Sequence, residues 1–232
     1  VLISITKDEY PATQVASFVT VYLMRPVTAS ELAGFRDALL ELCNKPNLET
    51  SSAIDLCGTG GDGKNTFNIS TTSAFVVAGA GYRVIKHGNY GVSSICGSSN
   101  VLEAMGYEFT TNDSQLNKEL ETCNLTFLHA PMFHPAMRSV APIRKQLGVK
   151  TFFNMLGPLV NPVQPEYQLT GVFSMHLQRI YSELLRSSRK GYAVLHATDG
   201  YDEVSLTSAC KVFSNQGEQL LTPSDLGVEK LT

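Results

Sequence analysis

Directly between the apolar run AIDLC at 53–57 and the helical pattern STTSAFVVAGAG stands GTGGDGKNTFNIST, Gly58 to Thr71. A strand that passes through a glycine-rich turn straight into a helix is the opening half of a parallel crossover, so a meander or a plain helical bundle is already disfavoured. The pattern then repeats. YRVIK at 82–86, LTFLHA at 125–130, YQLTGVFS at 167–174 and YAVLHAT at 192–198 read as strands, and helical spacing appears between them at 71–80, 99–105, 113–122 and 175–188. This predicts an α/β fold with a largely parallel central sheet flanked by helices.

Two parts of the chain depart from the alternation. Near the start, the segment 12–24 is apolar on more than one side and predicts a buried helix stopped by Pro26, and Thr28 with Glu31 forms a capping box ahead of LAGFRDALLELC. From His134 to Asn161 there is no strand pattern, only PAMRSVAPIRKQLG and the loop-rich FFNMLGPLVNP. The reading is a smaller all-helical domain made from two chain segments, 1–50 and 131–163, beside an α/β domain of 51–130 and 164–232.

Composition excludes several function classes. With 43% hydrophobic residues, 17% charged residues and a net charge of -3, the 232 residues can bury a core and are neither disordered nor basic enough for a nucleic-acid binder. The five cysteines are scattered, without the paired spacing of a zinc site, and read as reduced thiols of a cytoplasmic protein. Charges and a proline interrupt the first residues where a signal peptide would be apolar, and no run reaches membrane-spanning length.

The chemistry-bearing residues gather at strand ends. Gly58, Gly60, Gly61 and Gly63 let the backbone approach a ligand closely, and Asn68, Ser70 and Thr71 bring donors to a helix N-terminus, a phosphate or pyrophosphate site. The run lacks the GK[ST] ending of a nucleotide P-loop and is not G-x-G-x-x-G; the bland alternative is a glycine turn with Ser70 as helix cap. A second loop, KHGNYGVSSICGSSNVLEAMG, again follows a strand: Lys86 suits a phosphate, Asn89 is a donor or acceptor, and Ser93, Ser94, Ser98 and Ser99 offer hydroxyls. Its bland reading is a capping box of Asn100 with Glu103. Two anion-favouring loops at successive strand ends point to one site, because parallel sheets gather ligands at their carboxyl edge. In TDGYDE the adjacent carboxylates Asp202 and Glu203 repel each other, which makes them either a magnesium site or a solvated turn.

Taken together, GTGGDGKNTFNIST, KHGN, HPAMRSVAPIRKQLG and FFNMLGPLVNP resemble the anthranilate phosphoribosyltransferases over nearly the whole chain. The resemblance implies transfer of the 5-phosphoribosyl group of phosphoribosyl pyrophosphate to the amine of anthranilate in tryptophan biosynthesis, with Mg2+ as cofactor and a homodimer as assembly. It assigns the donor substrate to Gly58, Gly61, Asp62, Thr66, Asn68, Ser70, Thr71, Lys86 and Ser98, anthranilate to Gly58, Asn89 and Arg144, and the metal to Ser70, Asp202 and Glu203. Arg144 fits that role physically, since a guanidinium grips a carboxylate in a bidentate fork where a lysine cannot; otherwise it is an exposed helical arginine. His87 and His134 are not assigned as acid or base. Tyr90 and Asn100 stand where many members carry arginine and aspartate. The family chain also implies further sequence on both sides, so these residues are expected to be part of a longer protein. The rivals are a pyrimidine nucleoside phosphorylase of the same architecture and a non-catalytic phosphate-binding regulatory module.

Overall fold

The structure, a computed structural model, describes residues 1–91 and 96–231. Three helices open it: α1 (Leu2–Thr6), α2 (Ala12–Met24) and α3 (Ala29–Leu42). Then come β1 (Ile54–Leu56), α4 (Ile69–Gly79), β2 (Val84–Gly88), α5 (Ser98–Ala104), α6 (Asp113–Cys123) and β3 (Leu125–His129). After α7 (Ala130–Phe133) and α8 (Met137–Leu147), two 3-10 turns, Phe152–Met155 and Gly157–Leu159, lead to β4 (Tyr167–Gly171). The remainder is α9 (Met175–Arg186), β5 (Gly191–Ala197), the hairpin β6 (Cys210–Ser214) and β7 (Gly217–Leu221), and a last 3-10 turn, Pro223–Leu226.

The strands form one sheet in the order β3-β2-β1-β4-β5-β6-β7. Strands β1 to β5 run parallel, and β6 and β7 are antiparallel. All five residues of β3 are buried, as expected of a parallel strand covered on both faces. Helix α9 covers the β5 side because Leu177, Ile180, Tyr181, Leu184 and Leu185 recur at helical spacing and are all buried. Each such burial stabilises the fold by roughly 1.5–3 kcal/mol.

The hairpin β6–β7 was not among the strands expected from sequence. Its two strands are joined by only Asn215 and Gln216, and β7 is exposed along most of its length, so it shows no alternation of apolar and polar residues.

The opening helices belong where the sequence implied. Helix α3 is capped by Thr28, whose hydroxyl accepts from the Glu31 amide at 3.3 Å while the Glu31 carboxylate accepts from the Thr28 amide at 2.9 Å. Helices α1 and α2 pack on α8, and the Phe35 and Phe152 rings stack at 4.2 Å, joining the first segment of chain to the second. Helix α2 differs from expectation in one respect. Val15 and Val19 are buried, but Val21, Leu23 and Met24 are exposed, because the remaining helices cover a single face. Among the described residues no helix is long and apolar enough to cross a membrane.

Candidate active site

A cavity of about 300 Å³ opens at the carboxyl ends of β1, β2 and β5 and is closed on its far side by α8 and the two 3-10 turns. It lies where the strand order reverses about β1, the usual crevice of an open parallel sheet. Every residue that the family resemblance assigned lines it: Gly58, Gly61, Asp62 and Thr66 of the glycine loop; Asn68, Ser70 and Thr71 at the start of α4; Lys86, Asn89 and Ser98; Arg144; and Asp202 with Glu203.

The glycine loop is shaped by its backbone. Gly60, Gly61 and Gly63 have φ of +59°, +86° and +75°, the region glycine alone enters at no cost, and the Thr59 amide donates to Gly171 O at 2.9 Å. Beyond the loop, Asn68 occupies the N-cap of α4, yet its side-chain amide donates to Cys96 O at 3.3 Å and does not cap the helix. First-turn amides of α4 therefore face the cavity without a side-chain acceptor from the cap. Ser70 sits inside the helix and is not its cap. Thr71 is 3% exposed, and its Oγ1 has no partner among the described residues.

Lys86 is held upright in the floor of the cavity. Its ammonium donates to Leu56 O and, at 3.3 Å, to Ser70 Oγ, which leaves one N–H for a ligand. Beneath it lies a residue the sequence reading passed over, Asp55, only 1% exposed. One of its oxygens accepts from the His87 amide at 3.2 Å and the other from Asn161 Nδ2 at 3.0 Å, while the same Nδ2 donates to Ile85 O at 2.9 Å. Burial raises the Asp55 carboxyl, and the Lys86 charge pulls it back down. A carboxylate in the middle of the apolar run AIDLC was the available signal: a charge is buried there only with a partner.

His87 and His134 are neutral. His87 Nδ1 donates to Gly157 O at 3.0 Å and His134 Nε2 to Val160 O at 2.9 Å, with their rings 5.2 Å apart. Burial pushes His87 down to about 3 and His134 down to about 4. The Gly157 carbonyl is thereby tied to β2 and the Val160 carbonyl to the residue that closes α7.

In the second loop, Ser98 Oγ donates to Asn89 O at 3.3 Å and stays at the cavity. Ser99 does not: it is buried, with its hydroxyl 2.8 Å from His129 Nδ1, because the first turn of α5 rotates it away from the cavity. Ser93 and Ser94 lie outside the described residues. The two departures have local uses. Asn100 Oδ1 accepts from Gly91 N at 3.0 Å and Gly97 N at 2.9 Å, so it acts from inside α5 and is not the N-cap. Tyr90 donates to Glu103 Oε1 at 2.6 Å.

Arg144 is half-buried near the C-terminus of α8, 5.2 Å over the Phe153 ring, and its Nη2 is 3.5 Å from Asn154 Oδ1. Burial lowers its pKa, so a carboxylate partner would be welcome. Across the cavity, Asp202 is buried and not part of a solvated turn; its amide donates to Asp62 Oδ2 at 3.4 Å. Burial and then the Asp62 charge raise the Asp202 carboxyl, and burial and then Asp202 push Glu203 up to about 7. Such a set fits a hard divalent cation, whose charge would relieve the repulsion. Among the described residues no group of three or more His, Cys, Asp or Glu is placed to hold a metal ion by itself.

Known proteins are similar to this chain in sequence and in fold. Residues 50–232 match the α/β domain of the glycosyl transferase family and residues 1–43 its helical bundle domain. The anthranilate phosphoribosyltransferase of Christiangramia forsetii is 57% identical over 231 residues, which is 100% of this chain and 70% of that protein. The chain belongs to the anthranilate phosphoribosyltransferase family. Among solved members of that family, the enzyme from Thermus thermophilus superposes with a TM-score of 0.90 at 34% identity, covering 100% of this chain and 70% of that one. The enzyme from Saccharomyces cerevisiae, in complex with PRPP and Mg, gives a TM-score of 0.90 at 31% identity, covering 100% of this chain and 68% of that one.

Proposed function

We propose that the protein transfers the 5-phosphoribosyl group of phosphoribosyl pyrophosphate to the amine of anthranilate, giving N-(5-phosphoribosyl)anthranilate and pyrophosphate for tryptophan biosynthesis. One observation carries this: a single cavity is walled on one side by anion-binding groups and on the other by Arg144, a lone guanidinium suited to an aromatic acid.

In this reading the glycine loop, the first-turn amides of α4, Thr66, Asn68, Thr71, Lys86 and Ser98 bind the phosphates, and Lys86 offsets the charge that grows on the departing pyrophosphate. Arg144 takes the carboxylate of anthranilate and Asn89 orients its amine beside Gly58, holding nucleophile and ribose C1 in line. The amine attacks C1 as the C1–O bond to pyrophosphate breaks, and the proton released from the product nitrogen is taken up by the departing pyrophosphate or by water. No covalent enzyme intermediate is needed. Asp202, Glu203 and Ser70 would hold Mg2+, which when bound supplies charge neutralisation for the pyrophosphate. The buried neutral histidines keep the 157–160 wall in place without exchanging protons.

We propose also that residues 1–50 with 131–163 act as one helical unit and that two copies associate through it in the cytoplasm. The packing of α1 and α2 on α8 and the exposed Val21, Leu23 and Met24 support this. The test of function is the magnesium-dependent loss of anthranilate fluorescence on adding phosphoribosyl pyrophosphate. Turnover of a pyrimidine nucleoside with phosphate in place of that signal would replace the reading.

A further inference from the structure

Lys150 lies outside the cavity lining, on the exposed stretch between α8 and the first 3-10 turn, yet it reaches back across the chain to the glycine loop. Its ammonium donates to Gly61 O at 2.7 Å. Gly61 has φ +86°, and a β-carbon there would be 3.5 Å from that nitrogen, so the two segments touch closely. In a trans peptide the carbonyl and the next amide point in opposite directions. Holding Gly61 O toward Lys150 therefore turns the Asp62 amide away from Lys150, in a loop whose other face lines the cavity.

The other end of the strap is also defined. The Thr151 amide, next in the chain, donates to Asn154 Oδ1 at 3.0 Å, and the same oxygen lies 3.5 Å from Arg144 Nη2. A continuous set of bonds thus runs from the Arg144 guanidinium through Asn154 and the 150–151 peptide to the glycine loop. The loop's opposite side is held separately, with Lys64 4.6 Å over the Tyr201 ring.

Resting on the function proposed above, we infer that Lys150 is a positioning residue that fastens the pyrophosphate loop to the segment carrying Arg144, so that filling one substrate site improves the other. It touches neither substrate. When anthranilate draws Arg144 and Asn154 into place, Thr151 and Lys150 move with them, and the Gly61 peptide is fixed in its anion-binding orientation. The converse follows by thermodynamic linkage.

The experiment compares wild type, Lys150→Met and Lys150→Arg by calorimetric titration with pyrophosphate and magnesium, with and without anthranilate. Lys150→Met should weaken pyrophosphate binding about 5- to 10-fold, the size of one charge-assisted hydrogen bond at a partly solvated site, and should bring the gain from anthranilate close to 1. Lys150→Arg should restore most of both. Amide exchange of residues 59–63 should speed up in Lys150→Met alone, a readout independent of ligand. Pyrophosphate affinity and amide exchange within twofold of wild type in Lys150→Met would overturn the inference, as would an unchanged anthranilate gain. If the wild type binds pyrophosphate but never turns over anthranilate, the functional reading fails, while affinity and exchange still decide the role of Lys150.

Discussion

Arg144 is a cation whose burial already disfavours its charge and whose side-chain partner among the described residues is an amide oxygen at 3.5 Å. A carboxylate in the cavity would satisfy it with paired N–H bonds, each worth about 1.5–3 kcal/mol. Arg144→Ala should raise KM for anthranilate roughly 100-fold, far more than it raises KM for phosphoribosyl pyrophosphate, which should change by no more than the about 5- to 10-fold expected of Lys150→Met; Arg144→Lys should recover only part, because the fork is lost. Varying each substrate separately in steady-state assays checks the split. For Asp202 and Glu203 the raised carboxyls argue that neutral side chains would be tolerated by the fold. Asp202→Asn with Glu203→Gln should lose magnesium-dependent turnover by at least about 100-fold. Its thermal melting point should equal or exceed that of the wild type, as seen by circular dichroism; a lower melting point would show that the carboxylates are structural.

Among the elements, α3 depends most visibly on its cap. Removing the Thr28 hydroxyl deprives the Glu31 amide of its acceptor, so Thr28→Ala should cost about 1 kcal/mol, lowering the urea midpoint with an unchanged slope. That cap, the five parallel strands and the helices between them were legible because each is written in local residues: spacing of 3.6, short apolar runs, Thr and Glu three apart. The hairpin β6–β7 was not, since β6 is held by pairing with β5 across the sheet, β7 is held by pairing with β6, and β7 carries no buried face. The site was legible to the extent that it sits on motifs at strand ends. Asp55, Asn161 and Lys150 escaped because their roles arise from partners far along the chain, Asn161 reaching Asp55 and Lys150 reaching Gly61, which no local pattern encodes. Ser99 misled for the converse reason: it shares the composition of the loop, but helical geometry turns it toward His129.

For the molecule as a whole, the paired neutral histidines set an acid limit. Both imidazoles have folded pKa values below the ordinary 6.5, at about 3 for His87 and about 4 for His134, so the unfolded chain binds more protons. Their contribution to stability is therefore complete above pH 6.5 and is lost as pH falls below it, at about 1.4 kcal/mol per pH unit for each ring until its folded pKa is reached. Because the raised carboxyls act in the opposite direction, the clean measurement is a difference. His87→Asn and His134→Gln, which keep the donor to Gly157 and Val160, should each flatten the decline of unfolding free energy between pH 6 and 5 by about that amount. Equal slopes in variant and parent would mean that the rings are already protonated in the fold.

Gly171 carries a consequence of another kind. A β-carbon on it would fall on the Asp202 carbonyl, in a strand whose neighbour Leu169 is 38% exposed. If codons 167–171 are randomised and the library is grown on medium lacking tryptophan, sequencing of the survivors should show many amino acids at 169 and glycine alone at 171. Even alanine would displace the Asp202 loop, so one methyl group at this codon should be counted among the lethal changes.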